Sequence, residues 1–290
     1  MEPIINQMLA AYPAVSITDK KNALKEVMQE IVLCGLSRTD FFKHAAFYGG
    51  TALRIFYGLD RFSEDLDFSL DAKNEAFNLD DYVGMLEKEV NSYGFNFKIE
   101  TKTKTKDSDI KSAFLKGSTK EHLLLFYADN DFVNTITPGE LIKIKLEVDV
   151  NPPGFANYEN KYRMVPIPYA IRLYDEPSLF AGKLHAVICR SWKNRVKGRD
   201  LYDYVFYLTR KSQFNLPHLQ ARLIDSGFLG ADEQISLKDV KNILIERFYK
   251  IDFNQAKQDV LPFIKNPQVL DIWSPEFFEA ITNDLKDTDI

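Results

Sequence analysis

Two carboxylates two positions apart are the first residues in this chain that could do chemistry. In the run Ser63-Glu64-Asp65-Leu66-Asp67-Phe68-Ser69-Leu70, strand alternation sends Leu66, Phe68 and Leu70 to one face and Asp65, Asp67 and Ser69 to the other. Acids so spaced stand roughly 6–7 Å apart at the backbone, and their side chains can converge on metal ions about 3.5–4 Å apart. Magnesium prefers such oxygen ligands and keeps waters and substrate phosphates in its shell. Residues 141–150 repeat the pattern, with Ile142, Ile144, Leu146, Val148 and Val150 on one face and Lys143, Lys145, Glu147 and Asp149 on the other. Laid beside the first strand, this run adds a third carboxylate, Asp149 or Glu147, and three acids on one face repel one another unless a cation is present. A solvated sheet face with ordinary charges has the same pattern, although Asp is disfavoured in strands.

The second group is Gly49-Gly50-Thr51, between an apolar run and a helix-like segment. Glycines let backbone N–H groups approach a phosphate, and a helix N-terminus favours anions. Thr51 can cap that helix or donate its hydroxyl to a phosphate. A tight strand-to-helix turn with no ligand would look the same. The third group begins in residues 178–190, where Phe180, Leu184, Val187 and Ile188 form an apolar stripe and Pro177 suits the helix start. Lys183 and Arg190 are seven apart, on one helix face. With Lys193, Arg195, Lys197 and Arg199, Arg190 makes five basic residues within ten positions, followed by Asp200. Most charge runs are solvated loops, but a metal-bound triphosphate also needs cationic partners.

These groups need elements to hold them. Helical spacing covers residues 18–36 (Ala23, Leu24, Val27, Met28, Ile31, Val32), 52–57 and 79–94. Residues 45–48, 61–70, 95–99, 123–127 and 141–150 read as strands, and the lysine-rich stretch 101–111 as a solvated edge strand or loop. Asn151-Pro152-Pro153-Gly154 is a stop. Beyond about residue 165 the spacing is helical, at 178–192, 198–210, 217–226, 237–248 and 254–264. The pattern predicts an α+β fold, a mixed sheet with flanking helices followed by a helical C-terminal domain. The expected division is a catalytic α/β domain over 1–165 and a helical domain over 166–290 that contributes Lys183 and the basic run to the cleft.

Composition bounds the function classes. The 290 residues carry 37 basic and 42 acidic side chains, a net charge of −5, which argues against coating nucleic acid by bulk charge. Cys34 and Cys189 form neither a disulfide framework nor a zinc signature. The start has an early Glu2 and no basic region, so it does not read as a signal peptide. No apolar run approaches ~18 residues. A soluble, cytoplasmic protein without a membrane partner is expected. His44, His122, His185 and His218 have no metal-spaced partner and read as structural or surface residues. Of these, only His185, two positions from Lys183, is placed to touch a substrate. Trp192 and Trp273 read as core or interface anchors.

Taken together, GGTALRIFYGLDRFSEDLDFSL, from Gly49 to Leu70, resembles the nucleotidyltransferase superfamily and, within it, the AbiEii/AbiGii toxin family. The resemblance extends to Lys183-Leu184-His185-Ala186 and to Arg199-Asp200, and covers about residues 45–70 and 140–208. It implies transfer of a nucleoside monophosphate from an NTP to an acceptor, with Mg²⁺ on Asp65 and Asp67 and with Asp149, or else Glu147, as the third metal ligand. It assigns phosphate binding to Lys183 and a place in the active centre to Asp200, for which Asp203 is a substitute. Gly49, Gly50, Thr51, Ser63, Lys183 and Arg190 form the expected nucleotide-binding set, and the basic run would receive the acceptor. The resemblance further implies the toxin of a toxin–antitoxin or phage-defence pair, with a cognate antitoxin and an RNA acceptor, the 3′ end of tRNA. A small-molecule acceptor, as in antibiotic-modifying enzymes, and a non-catalytic binding module are the alternatives.

Overall fold

The computed structural model describes residues 3–102, 109–127, 136–190 and 196–288. The chain divides into two compact units. The first comprises Met1–Tyr48, Glu64–Pro152 and Asn160–Leu173; the second comprises Gly49–Ser63, Pro153–Glu159 and Tyr174–Ile290.

The first unit is built on a seven-stranded mixed sheet. Its strands are β1 (Ala45–Tyr48), β2 (Asp65–Leu70), β3 (Lys98–Lys102), β4 (Ile110–Ser118), β5 (Leu141–Asp149), β6 (Tyr158–Arg163) and β7 (Tyr169–Tyr174), in the order β3-β4-β5-β2-β1-β7-β6. β2 lies centrally, antiparallel to β1 and parallel to β5. Leu66, Phe68, Ile144, Leu146 and Val148 are at most 1% exposed, each worth roughly 1.5–3 kcal/mol by removal from water. The helices of this unit are α1 (Pro3–Ala10), α2 (Ile17–Ser37), α3 (Phe41–His44), α5 (Asp80–Ser92) and α6 (Thr119–Phe126). α2 starts where Ser16 and Asp19 form a reciprocal capping box. Its apolar stripe, Ala23 to Val32, is fully buried, and it packs on β5 and α5.

The second unit contains α4 (Gly49–Tyr57), α7 (Glu176–Cys189), α8 (Gly198–Thr209), α9 (Leu216–Asp225), α10 (Leu237–Phe248), α11 (Phe253–Val260) and α12 (Pro275–Thr282). A two-stranded ribbon joins β8 (Gln213–Phe214) to β9 (Lys286–Asp287). Its core is aromatic. Phe180 stacks on Tyr207 at 4.3 Å, and Tyr204, Phe248 and Phe278 pack together. Trp273, 4% exposed, meets Tyr202 and Phe278, so it is a core anchor as expected.

Several expectations differ from what is observed. The apolar run 123–127 falls mostly within helix α6, because Ser118 caps the preceding turn by accepting from the Glu121 N–H. Four or five apolar residues cannot by themselves distinguish strand from helix. Strand pairing starts at Asp65, so residues 61–64 lead into β2 instead of belonging to it. Of the lysine-rich stretch 101–111, residues 101–102 end β3 at the sheet edge and 110–111 open β4, with 103–108 outside the described residues.

Candidate active site

In the first unit β2 alternates as expected from Asp65 to Phe68, but Ser69, expected on the polar face, is buried. Leu66 and Phe68 are buried, whereas Asp65 is exposed and Asp67 half-buried. Register sets their neighbours. Asp67 pairs with Tyr48 on one side and Glu147 on the other; Asp65 lies beside Lys145, and Ser69 beside Asp149. Of the two candidate third carboxylates, Glu147 therefore stands next to Asp67, and Asp149 is displaced by one pair along the strand. Glu147 is held by Lys145 at 2.7 Å and accepts from the Ser112 hydroxyl at 3.3 Å. Asp149 Oδ1 accepts from the Asn151 N–H at 3.0 Å. Among the described residues, no three His, Cys, Asp or Glu side chains cluster closely enough to hold a metal by themselves. Asp65 and Asp67 instead suit the way magnesium is commonly bound, by one or two carboxylates with substrate phosphates and waters completing the shell.

In the second unit, Gly49 opens α4 with φ 82°, a conformation that glycine adopts freely. At Gly50 a Cβ would lie 2.9 Å from Arg61 Nη2 and 3.0 Å from Ser63 Oγ, so the absent side chain lets both groups approach the start of the helix. Thr51 is buried in the first turn of α4 and is not at its cap.

The charged groups of α7 and α8 form one network. Lys183 Nζ lies 2.7 Å from Asp200 Oδ1 and 2.7 Å from Asp203 Oδ2. Arg190 bonds the other oxygen of Asp200. Arg61 donates through Nε and Nη2 to both oxygens of Asp203, each at 2.6 Å, with Arg61 3% and Asp203 0% exposed. The seven-residue spacing of Lys183 and Arg190 thus brings both cations onto Asp200. Burial pushes the Asp200 carboxyl up, but Lys183 and Arg190 outweigh it and hold the group below its ordinary value. Burial likewise opposes the Arg61 charge, and Asp203 more than restores it.

Arg61 is the residue that the sequence reading missed. Its signal was its place four positions before Asp65, in a segment taken for strand. Lys193, Arg195 and Trp192 lie outside the described residues. Arg199 stacks on the Phe263 ring at 4.1 Å. His185 has a buried Nε2 without a hydrogen-bond partner, and burial, with Arg222 beside it, lowers its pKa to about 4.

The acidic pair on a mixed-sheet strand, the Gly-Gly helix start and the lysine anchored by two aspartates are each features that the nucleotidyltransferase resemblance leads one to expect. A family model described as "Nucleotidyl transferase AbiEii toxin, Type IV TA system" matches residues 31–283. The chain belongs to this family of nucleotidyltransferase toxins, which implies a nucleotide substrate and a partner antitoxin. Solved structures give looser likenesses, on which the assignment does not rest. JHP933 from Helicobacter pylori is 22% identical over 90% of each chain, at a TM-score of 0.47. MenT4, a nucleotidyltransferase toxin from Mycobacterium tuberculosis, is 16% identical over 97% of this chain and 99% of that one, also at 0.47. No curated protein matches. No helix among the described residues is long and apolar enough to cross a membrane.

Proposed function

We propose that this toxin transfers a nucleoside monophosphate from an NTP to RNA, at the 3′ end of a tRNA, in the bacterial cytoplasm. The acceptor hydroxyl oxygen bonds the α-phosphorus, the α–β bridging P–O bond breaks, and pyrophosphate leaves with the electron pair. Asp65 and Asp67 would hold Mg²⁺, with Glu147 or Asp149 as the third carboxylate. When bound, the ion supplies positive charge to the phosphate oxygens as the leaving group departs. The carboxylate left outside the metal shell takes the proton of the acceptor hydroxyl. Gly49, Gly50 and Ser63 bind the β- and γ-phosphates, whereas Thr51, fully buried, packs behind them. Lys183 and Arg190 offset triphosphate charge. An ammonium has three N–H groups, and Lys183 uses two on Asp200 and Asp203, which leaves one for a phosphate.

The strongest support for this reading is the placement of Asp65 and Asp67 on one face of β2, with Glu147 in register beside Asp67. The test incubates the protein with Mg²⁺, total tRNA and each labelled NTP in turn. Label should enter tRNA with at least one NTP, and Asp67→Ala should abolish it and relieve toxicity in cells. If no NTP labels tRNA, or if Asp67→Ala labels it as fast as the parent, the proposal fails. Label that enters an aminoglycoside but no RNA would favour the small-molecule alternative.

A further inference from the structure

Within the first unit, a cavity of about 350 Å³ opens beside Asp65. Lys21 and Lys25 of α2 and Lys143 and Lys145 of β5 line it, together with Phe114 and Thr119. Cations are in the majority here, four against the acids Glu64, Asp65 and Glu140, although the whole chain is acidic.

Three features point to an anionic occupant. First, Lys143, which lines the cavity, stands in register beside Lys116 of β4, itself beside Lys98 of β3, and of the row Lys116 is paired with Glu100. Like charges directly opposite one another in a sheet are destabilising, and a bound polyanion would remove that cost. Second, the Thr119 side chain is fully buried, and its hydroxyl has no hydrogen-bond partner in the protein. A buried hydroxyl left so is unfavourable until a ligand or water meets it. Third, three of the lining lysines are held at the rim by carboxylates, Lys21 by Glu140 at 2.6 Å, Lys25 by Glu64 at 2.9 Å and Lys145 by Glu147 at 2.7 Å. Partly exposed pairs of this kind contribute little, about 0–1 kcal/mol, so phosphates can displace the carboxylates at low cost.

We propose that this cavity is the acceptor subsite and takes the last phosphates of a single-stranded RNA 3′ end. Lys21, Lys25, Lys143 and Lys145 contact the backbone, and the Phe114 ring, with Lys116 over it at 5.9 Å, lines the cavity beside them. The subsite rests on the RNA-acceptor reading above and places the acceptor on the sheet of the first unit.

The test measures binding of a fluorescent single-stranded RNA oligonucleotide to the full chain across a salt series. Lys143→Ala/Lys145→Ala should weaken binding at least tenfold and reduce the slope of log Kd against log salt by about 1 to 1.5. Lys143→Arg/Lys145→Arg should restore both. Lys73→Ala/Lys250→Ala, with the same charge change at exposed pairs elsewhere, should bind as the parent does. Thermal melts confirm folding, and Lys143→Ala alone, at an exposed strand position, gives a second reading should the double variant melt early. The subsite is overturned if the double variant binds like the parent, if the control loses as much, or if NTP binding falls while oligonucleotide binding does not. Transfer to tRNA with an unchanged acceptor KM in the double variant would also overturn the subsite and leave the proposed function standing. Lysine-dependent binding with no label on any RNA would overturn the function and leave the subsite standing.

Discussion

Lys183 is the residue on which the second unit converges. It is fixed between two aspartates, and the more deeply buried of these, Asp203, is fixed in turn by Arg61. If Lys183 holds the triphosphate as proposed, Lys183→Ala should lower kcat about 10²- to 10³-fold. Arg61 acts through Asp203 as a positioning residue. Breaking so buried a pair costs about 3–5 kcal/mol, so Arg61→Ala should lower the melting temperature sharply. Arg61→Lys keeps the charge but loses the two-pronged geometry. It should fold and raise the KM for NTP several-fold, with acceptor KM unchanged. A purely structural Arg61 would leave the NTP KM of the folded variant where it was.

At the scale of elements, α4 is the sensitive piece, because its start is packed against Arg61 and Ser63 without room for a side chain. Gly50→Ala should keep the fold, displace one of those two groups and raise the NTP KM about tenfold, read by steady-state kinetics. Much of this was legible in the sequence. Alternation gave β2 and β5 and the parity of Asp65, Asp67 and Glu147, and 3.6-residue spacing gave α2, α5 and α7 to α11 to within a few residues. What was not legible was relational. Whether Glu147 or Asp149 stands next to Asp67 depends on a parallel register that no local pattern encodes. The Arg61–Asp203 pair joins residues 142 positions apart. α6 was misread because its cap outweighs a short β-compatible run, and β6 and β7 went unread because their alternation is interrupted by polar residues (Tyr158–Arg163) or is short (Tyr169–Tyr174).

For the whole molecule, acid should be destabilising in two stages. Burial lowers the pKa of His185 and His218 to about 4, from 6.5. Between those values the unfolded chain binds more protons than the folded one, so stability is full above about pH 6.5 and falls as pH drops towards 4. Asp200, held below its ordinary value, adds a loss only below about pH 4, where the unfolded carboxyl takes up a proton that the folded one does not. Urea midpoints measured from pH 7 to 3 should fall throughout. His218→Gln, at a fully buried site, should flatten the upper part of that profile. Unaltered curvature between pH 6.5 and 4 would show that the buried histidine does not set it.

The central claim of the proposed function is nucleotidyl transfer to RNA that requires both Asp67 and Lys183. Single-turnover reactions with α- and γ-labelled NTP and tRNA test it most directly. The account predicts that α-label enters tRNA, that γ-label leaves as pyrophosphate, and that Asp67→Ala and Lys183→Ala each suppress both events at least 100-fold. Transfer of γ-label to RNA, or α-label transfer that survives either substitution, would contradict it.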